Sequence, residues 1–233
     1  MLYPNAYIEA CLESPSSIFR VISQKEKETI SEHHTLSNYK KGEPVFSEGE
    51  KSRGLAIMVT GKAKLFRTGV GGREQILKML KPMDLTGYRS LFSDNLWPAS
   101  STALEQTTFC ILEKTSLIKI LKKNSELSFR LCKHLSDELV WTNNRIVSLT
   151  QKHVRGRIAE SLILLRDTYG FENDMKTIKV LLSREDLAHL SNMTTSNAIR
   201  TLSNMATEGI IGIKGKRIAI LDNSALEHIS EMG

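Results

Sequence analysis

Between residues 183 and 221 the polar side chains fall at spacings that suit contact with a nucleic-acid duplex rather than catalysis. Ser183-Arg184-Glu185-Asp186 predicts a capped helix start. The Ser183 hydroxyl accepts from the third helical amide, Asp186 reaches back, and the acids favour the positive end of the dipole. Leu187, Ala188 and Leu190 give this short helix a buried face, and Ser191-Asn192-Met193 reads as a turn. Asn192 suits the turn because it tolerates a left-handed backbone. Thr194 then caps a second helix. On that helix Ala198, Ile199, Leu202, Met205 and Ala206 gather on one side, and Ser196, Asn197, Arg200, Ser203, Asn204 and Thr207 on the other. The polar side holds one cation, no acid and several short hydrogen-bonding groups, whereas a merely solvated face carries Glu–Lys pairs. Short donors and acceptors with one Arg match base edges and phosphates. Arg200 can bond two guanine acceptors at once, worth about 1–3 kcal/mol of discrimination. Beyond Gly209, two apolar runs flank Lys214-Gly215-Lys216, which predicts a β-hairpin with a basic tip. Lys214, Lys216 and Arg217 are then placed for phosphates at the groove edge. In this order the pieces make a winged helix-turn-helix.

The elements that must position it follow from the pattern upstream. A chain of 233 residues suits two domains, drawn here as 1–150 and 151–233. Residues 1–36 read as a polar, partly helical lead-in, docked through Ile18, Phe19, Ile22 and Ile30. From Tyr39 to about Glu113, short apolar runs alternate with Gly and Pro turn signals. That pattern predicts a sandwich or a closed antiparallel β-barrel, which can hold one small ligand. Helical periodicity takes over at about residue 124 and runs to 150. Leu127, Leu131, Leu135, Leu139, Thr142, Ile146 and Leu149 share one arc of a long helix. Its length and continuous seam predict pairing with a second copy through Leu131, Leu135, Leu139, Thr142, Ile146 and Leu149. Gln151-Lys152-His153 reads as a hinge, and a further amphipathic helix ends at Gly170.

Composition narrows the function classes. No run approaches the ~18 apolar residues of a membrane span, and the start lacks a signal-peptide pattern, so the expected compartment is the cytoplasm. Cys11, Cys110 and Cys132 form no C-x-x-C pair, so neither a zinc ribbon nor a disulfide framework is indicated. The net charge of +6 suits a nucleic-acid binder, yet residues 151–233 hold 11 Lys+Arg against 10 Asp+Glu. The DNA argument therefore rests on where the charges sit. No nucleophile–base spacing, metal cluster or phosphate loop points to an enzyme.

These segments together resemble the cyclic-AMP receptor protein / fumarate-nitrate regulator (CRP/FNR) family over about residues 18–222. In the first half the resemblance rests on Lys41-Gly42-Glu43-Pro44-Val45-Phe46, Glu48-Gly49-Glu50, Gly61-Lys62-Ala63-Lys64-Leu65, Gly87 and Leu91-Phe92. In the second it rests on Val154-Arg155-Gly156-Arg157-Ile158-Ala159 and residues 183–221. The resemblance implies an α+β fold: a cupin-like eight-stranded barrel of the cyclic-nucleotide-binding type, a long dimerisation helix and a C-terminal winged helix-turn-helix. It implies a homodimer on a palindromic operator, with RNA polymerase as a further partner. By carry-over Thr195, Ser196 and Arg200 read bases, while Ser183, Arg184 and Thr194 touch the backbone. Thr195 and Ser196 stand where the family has Arg and Glu, which argues against its cyclic-AMP-type operator.

The effector site departs further. Nucleotide-binding members hold the ribose and phosphate with a Gly-Glu pair and an Arg-Ser/Thr-Ala clamp. Here those positions read Gly87-Tyr88 and Trp97-Pro98-Ala99. The acid, the cation and the hydroxyl are gone, and Pro98 removes an amide donor. Arg89 is near, but a strand position would point it elsewhere. Thr142 and Asn143 match positions that face the base. Cyclic AMP is therefore not expected to bind tightly, the effector stays unidentified, and the hydrophobic pocket with Trp97 and Tyr88 would tolerate a large apolar one. A family iron–sulfur cluster needs several N-terminal cysteines, and only Cys11 lies early. Haem stays open, with His33, His34, His134, His153, Cys110, Cys132 and eight methionines as candidate ligands. A ligand-sensing interaction module without DNA binding is the other open reading.

Overall fold

The computed structural model describes residues 4–93 and 96–233. Among them, eight strands form two four-stranded sheets. One sheet has the order β1 (His34–Tyr39), β8 (Thr107–Glu113), β3 (Gly54–Thr60), β6 (Leu85–Thr86). The other has the order β2 (Pro44–Phe46), β7 (Ser100–Ala103), β4 (Ala63–Thr68), β5 (Glu74–Leu80). This is the antiparallel barrel that the turn spacing predicts.

The central pair shows why both faces are apolar. In the antiparallel register of β3 and β8, Leu55 meets Leu112 and Ile57 meets Cys110, while Ala56 meets Ile111 and Met58 meets Phe109. Side chains alternate across a strand, so each strand feeds two cores. Ala56, Met58, Phe109 and Ile111 enter the barrel interior with Phe46, Ala63, Leu80 and Trp97. Leu55, Ile57, Cys110 and Leu112 face outward and are covered by helices. The covering elements are α1 (Pro4–Glu13), α2 (Gln24–Glu32), α4 (Lys114–Leu121) and the first half of α5 (Ser125–Gln151). The predicted docking residues Phe19, Ile22 and Ile30 are buried in that outer core, and Ile18 is half-buried against it.

Between β6 and β7 lies α3 (Tyr88–Phe92), which starts after Gly87 in a left-handed backbone at φ +82°. Arg89 is therefore on a helix rather than a strand, and the strand argument for turning it away does not hold. After α5 come α6 (Val154–Tyr169), α7 (Arg184–Leu190), α8 (Thr195–Thr207), the hairpin β9 (Ile211–Lys214) with β10 (Arg217–Ile220), and α9 (Asn223–Met232).

The chain divides into two compact units within α5. The first contains Met1–Leu65 and Leu80–Leu139, and the second contains Phe66–Met79 and Val140–Gly233. Helix α5 from Val140 onward, and Phe66–Met79 of the β4–β5 hairpin, thus belong to the same compact unit as the winged helix.

Helix α5 also carries two stripes where one seam was expected. Leu127 and Leu131 are buried in the chain's own outer core, and Leu135 packs against it. Leu131, only 3% exposed, is corrected from a partner contact to a core residue. The exposed stripe is rotated from it: Phe129, Leu139, Val140, Ile146 and Val147 are all more than half exposed. Thr142 is exposed and Leu149 half-buried.

Candidate nucleic-acid interface

Local chemistry fixes both helices of the reading motif. The Ser183 hydroxyl accepts from the Asp186 amide at 2.9 Å, and the Asp186 carboxylate takes the Ser183 amide at 3.2 Å and hydroxyl at 2.7 Å. This is the reciprocal cap predicted for α7. The turn places Asn192 at φ +50°, in the left-handed region predicted for it. Thr194 accepts from the Asn197 amide at 3.3 Å and so starts α8. Ala198, Leu202 and Met205 are buried beneath it. Ile199 is the exception to the expected division: it is 47% exposed and borders the polar face.

That face presents Ser196, Arg200, Ser203, Asn204 and Thr207 to solvent, with Thr195 and Asn197 half-buried at the N-terminal end. Arg200 is not loose: its Nη2 donates to the Asn197 side-chain oxygen at 2.9 Å. A guanidinium held by a neighbour one turn back loses less freedom when it meets a base. In the hairpin Arg217 pairs with Lys214, leaving Gly215 and Lys216 as a two-residue loop. Gly215 has φ +59°, a conformation that such tight hairpin loops require. Lys214, Lys216 and Arg217 are exposed there. Arg184 donates from Nη2 to the Gly215 carbonyl at 2.8 Å, so it ties α7 to the hairpin tip. Arg155 on α6 forms a bidentate pair with Glu208 at the end of α8. The pair is partly exposed and stabilises little.

Three arginines not singled out by sequence converge on the turn between α7 and α8. Arg145 on α5 donates to the Leu190 carbonyl at 2.6 Å. Arg157 on α6 donates to the Asn192 carbonyl at 2.7 Å. Arg73, at the β4–β5 tip, donates to the Asn192 side chain at 2.9 Å. Next to it, Glu74 lies 3.6 Å from Nδ1 of His189. Arg157 lies in the segment 154–159 that resembles the family, and no local pattern announces contacts made at such sequence distances.

The expected effector pocket has a different content. The Trp97 ring is 4% exposed and stacks on Phe46, with centroids 4.0 Å apart and planes 11° from parallel. A Cβ on Gly87 would sit 2.3 Å from the indole, so the glycine there makes room for Trp97. The cavity that remains among Phe46, Leu65, Gly87, Tyr88, Arg89, Pro98 and Ala99 measures about 20 Å³. A cyclic nucleotide does not fit it, and the residues present supply neither the clamp hydroxyl nor a Pro98 amide. Tyr88 turns to α5: its hydroxyl donates to Glu138 at 3.1 Å, and its ring meets His134 edge-on at 5.8 Å. Burial, with the Glu138 carboxylate second, raises the Tyr88 phenol above its usual range.

Known families match both halves. Residues 36–124 match the cyclic nucleotide-binding domain, and residues 156–229 match the Crp-like helix-turn-helix domain. The CRP-like cAMP-activated global transcriptional regulator of Mycobacterium tuberculosis is 28% identical, over 81% of this chain and 85% of its own. The cyclic AMP receptor protein of Thermus thermophilus is 25% identical, over 92% and 97%. Among solved structures, FixK2 of Bradyrhizobium japonicum superposes with a TM-score of 0.74 at 22% identity, over 84% of this chain and 96% of that one. A CRP/FNR-family protein from Eubacterium rectale reaches 0.76 at 19% identity, over 92% and 97%. Barrel, helix-turn-helix and relatives agree, and the chain belongs to the CRP/FNR family of DNA-binding transcription regulators.

Proposed function

We propose that this regulator works as a homodimer on a palindromic operator, reading bases with Thr195, Ser196, Asn197 and Arg200. Ser183, Arg184, Thr194, Lys214, Lys216 and Arg217 hold the sugar–phosphate backbone. The observation that carries the reading is the acid-free polar face of α8, with Arg200 pre-held by Asn197. Two copies pair through α5, with residues up to about 150 sensing and residues from 151 binding DNA. Support comes from the exposed residues Phe129, Cys132, Ser136, Leu139, Asn143, Ile146 and Thr150. They recur at alternating steps of three and four, the spacing of a two-stranded coiled coil. Phe129, Leu139 and Ile146, the large apolar members of this stripe, are each more than half exposed.

The effector is not cyclic AMP: Trp97 occupies the space beside Gly87, and the clamp residues are absent. A haem macrocycle is also too large for the 20 Å³ cavity beside Tyr88 and Pro98. The regulator acts in the cytoplasm and contacts RNA polymerase. Among the described residues no helix is long and apolar enough to cross a membrane.

The test is operator selection from a random duplex pool, followed by titration of Arg200→Ala. Losing one bidentate base contact should weaken the selected site about 5- to 150-fold and relax preference at one position per half-site. Unchanged affinity and preference would remove α8 as the reading helix.

A further inference from the structure

The last turns of α5 carry a charge turned inward. The Arg145 side chain is 8% exposed, and burial lowers its pKa despite a carboxylate nearby. Its Nη2 donates to the Leu190 carbonyl at 2.6 Å and reaches the Ser161 hydroxyl at 3.4 Å. Ser161 and Ser191, both fully buried, are joined at 2.8 Å. Glu160 is 3.9 Å from Nη1, and Nε has no hydrogen-bond partner among the described residues. Glu160 also takes the Ser148 hydroxyl at 2.8 Å and lies 3.3 Å from Lys152. Arg157 spans the same joint, donating to Leu149 at 3.3 Å and to Asn192 at 2.7 Å.

This arrangement is poor as a stabiliser. A buried cation with one short bond, a distant carboxylate and an unmatched donor recovers little of its desolvation cost, and apolar replacements of such groups are often neutral. Its geometry is specific, however. The guanidinium sits on the helix that carries the exposed seam, and its short bond ends on the last carbonyl of α7. One residue later the turn begins, and α8 follows. The joint is bolted on both sides of the 151–153 junction, so the end of α5 and the reading motif form one compact unit.

We propose that Arg145 is a positioning residue for DNA reading. It fixes the angle at which α8 stands to the end of α5, and thereby sets the half-site spacing that the dimer accepts. The inference rests on the pairing through α5 proposed above. In a C2 dimer a small rotation at each joint moves the two reading helices in opposite senses, which alters their separation along the groove.

The test compares the full-length protein with Arg145→Met and Arg145→Lys. Each is measured by sedimentation, circular dichroism, and titration of the selected operator with its central spacer changed by one or two base pairs. A duplex holding a single half-site serves as control. The wild type should be dimeric and should prefer its own spacing by about tenfold or more over neighbouring ones. R145M should remain dimeric and folded, bind the single half-site within about twofold of wild type, and lose most of the spacing preference. R145K, which keeps one donor to Leu190, should recover part of that preference. Should R145M not fold, Arg145→Gln gives the same readout. A dimeric R145M that keeps the spacing preference overturns the proposal, as does an equal loss on every duplex including the half-site. A monomeric wild type overturns the pairing and this inference together, and sedimentation tells that case from the others.

Discussion

Trp97→Ala should empty the barrel rather than merely trim its wall. The indole is buried, stacked on Phe46 and pressed toward Gly87, so its removal leaves a void bounded by Phe46, Leu65, Gly87 and Ala99. Large-to-small changes of this kind cost about 3–5 kcal/mol, the upper part applying where the site cannot collapse. Collapse is resisted here because the neighbours stand on two paired sheets. At about 2–4 °C per kcal/mol for a chain of this size, the barrel transition should fall by roughly 6–20 °C. The void has the shape of the group removed, so indole should bind it. An apolar cavity accepts an apolar guest, and at a hundred times its Kd the guest restores about 2.7 kcal/mol. The assay is thermal melting followed by far-ultraviolet circular dichroism, with and without indole, checked by calorimetry. Wild-type protein should show no indole response, since its residual cavity is about 20 Å³. A loss below about 1 kcal/mol would refute the packing argument, as would a wild-type protein that binds indole equally well.

Two further perturbations probe other parts of the chain. Asp174 accepts from the Thr177 hydroxyl at 2.5 Å, the Thr177 amide at 2.8 Å and the Lys176 amide at 3.0 Å, and these bonds lower its carboxyl pKa to about 2. Because the folded value lies below the unfolded one, the loop is favoured above about pH 4 and loses that support as pH falls toward 2. A carboxyl carbon-13 titration should show the midpoint near 2, and Thr177→Ala should move it upward; a midpoint near 4 in the wild type would contradict the bonding. Cys132 lies on the exposed stripe of α5, whereas burial raises the Cys11 and Cys110 thiols to about 11 and about 12. Copper–phenanthroline should therefore yield a disulfide-linked dimer on a non-reducing gel, absent in Cys132→Ser. Cross-linking that survives in that variant, or none in the wild type, would argue against parallel pairing on this stripe.

Most of the element order could be read from sequence, but α3, α4 and α9 could not, and neither could which face of each element met which neighbour. The caps at Ser183 and Thr194 and the turn at Asn192 are local chemistry, and they stand as expected. Leu131 and Leu135 went to the wrong neighbour because two apolar stripes run along α5, one against its own barrel and one outward. A single 100° periodicity merges stripes that lie so close together. Ile199 shows the same limit, since a residue at the border of a helical face is assigned by tertiary packing. Arg89 was misplaced because a left-handed Gly87 converts an apparent strand into a helix start. Trp97 was recognised as part of the pocket, but residue type does not distinguish a side chain that lines a cavity from one that fills it. Arg145 had no local signal at all, because its partners stand 16 and 45 positions further along the chain.

The filled barrel shifts the question of how a signal reaches DNA. Where nucleotide-binding relatives follow the glycine with an acid for the ribose, this chain has Tyr88, and Tyr88 spends its hydroxyl on Glu138 of α5. The same ring lies edge-on to His134, one turn earlier on that helix. The residue in the ligand-contact position is thus bonded to the helix that a ligand would otherwise have to engage. Seven residues after Glu138, the same helix turns Arg145 inward to hold the carbonyl before the reading turn. Contacts at the middle of α5 and near its end are supplied by the chain itself, and neither depends on a bound nucleotide.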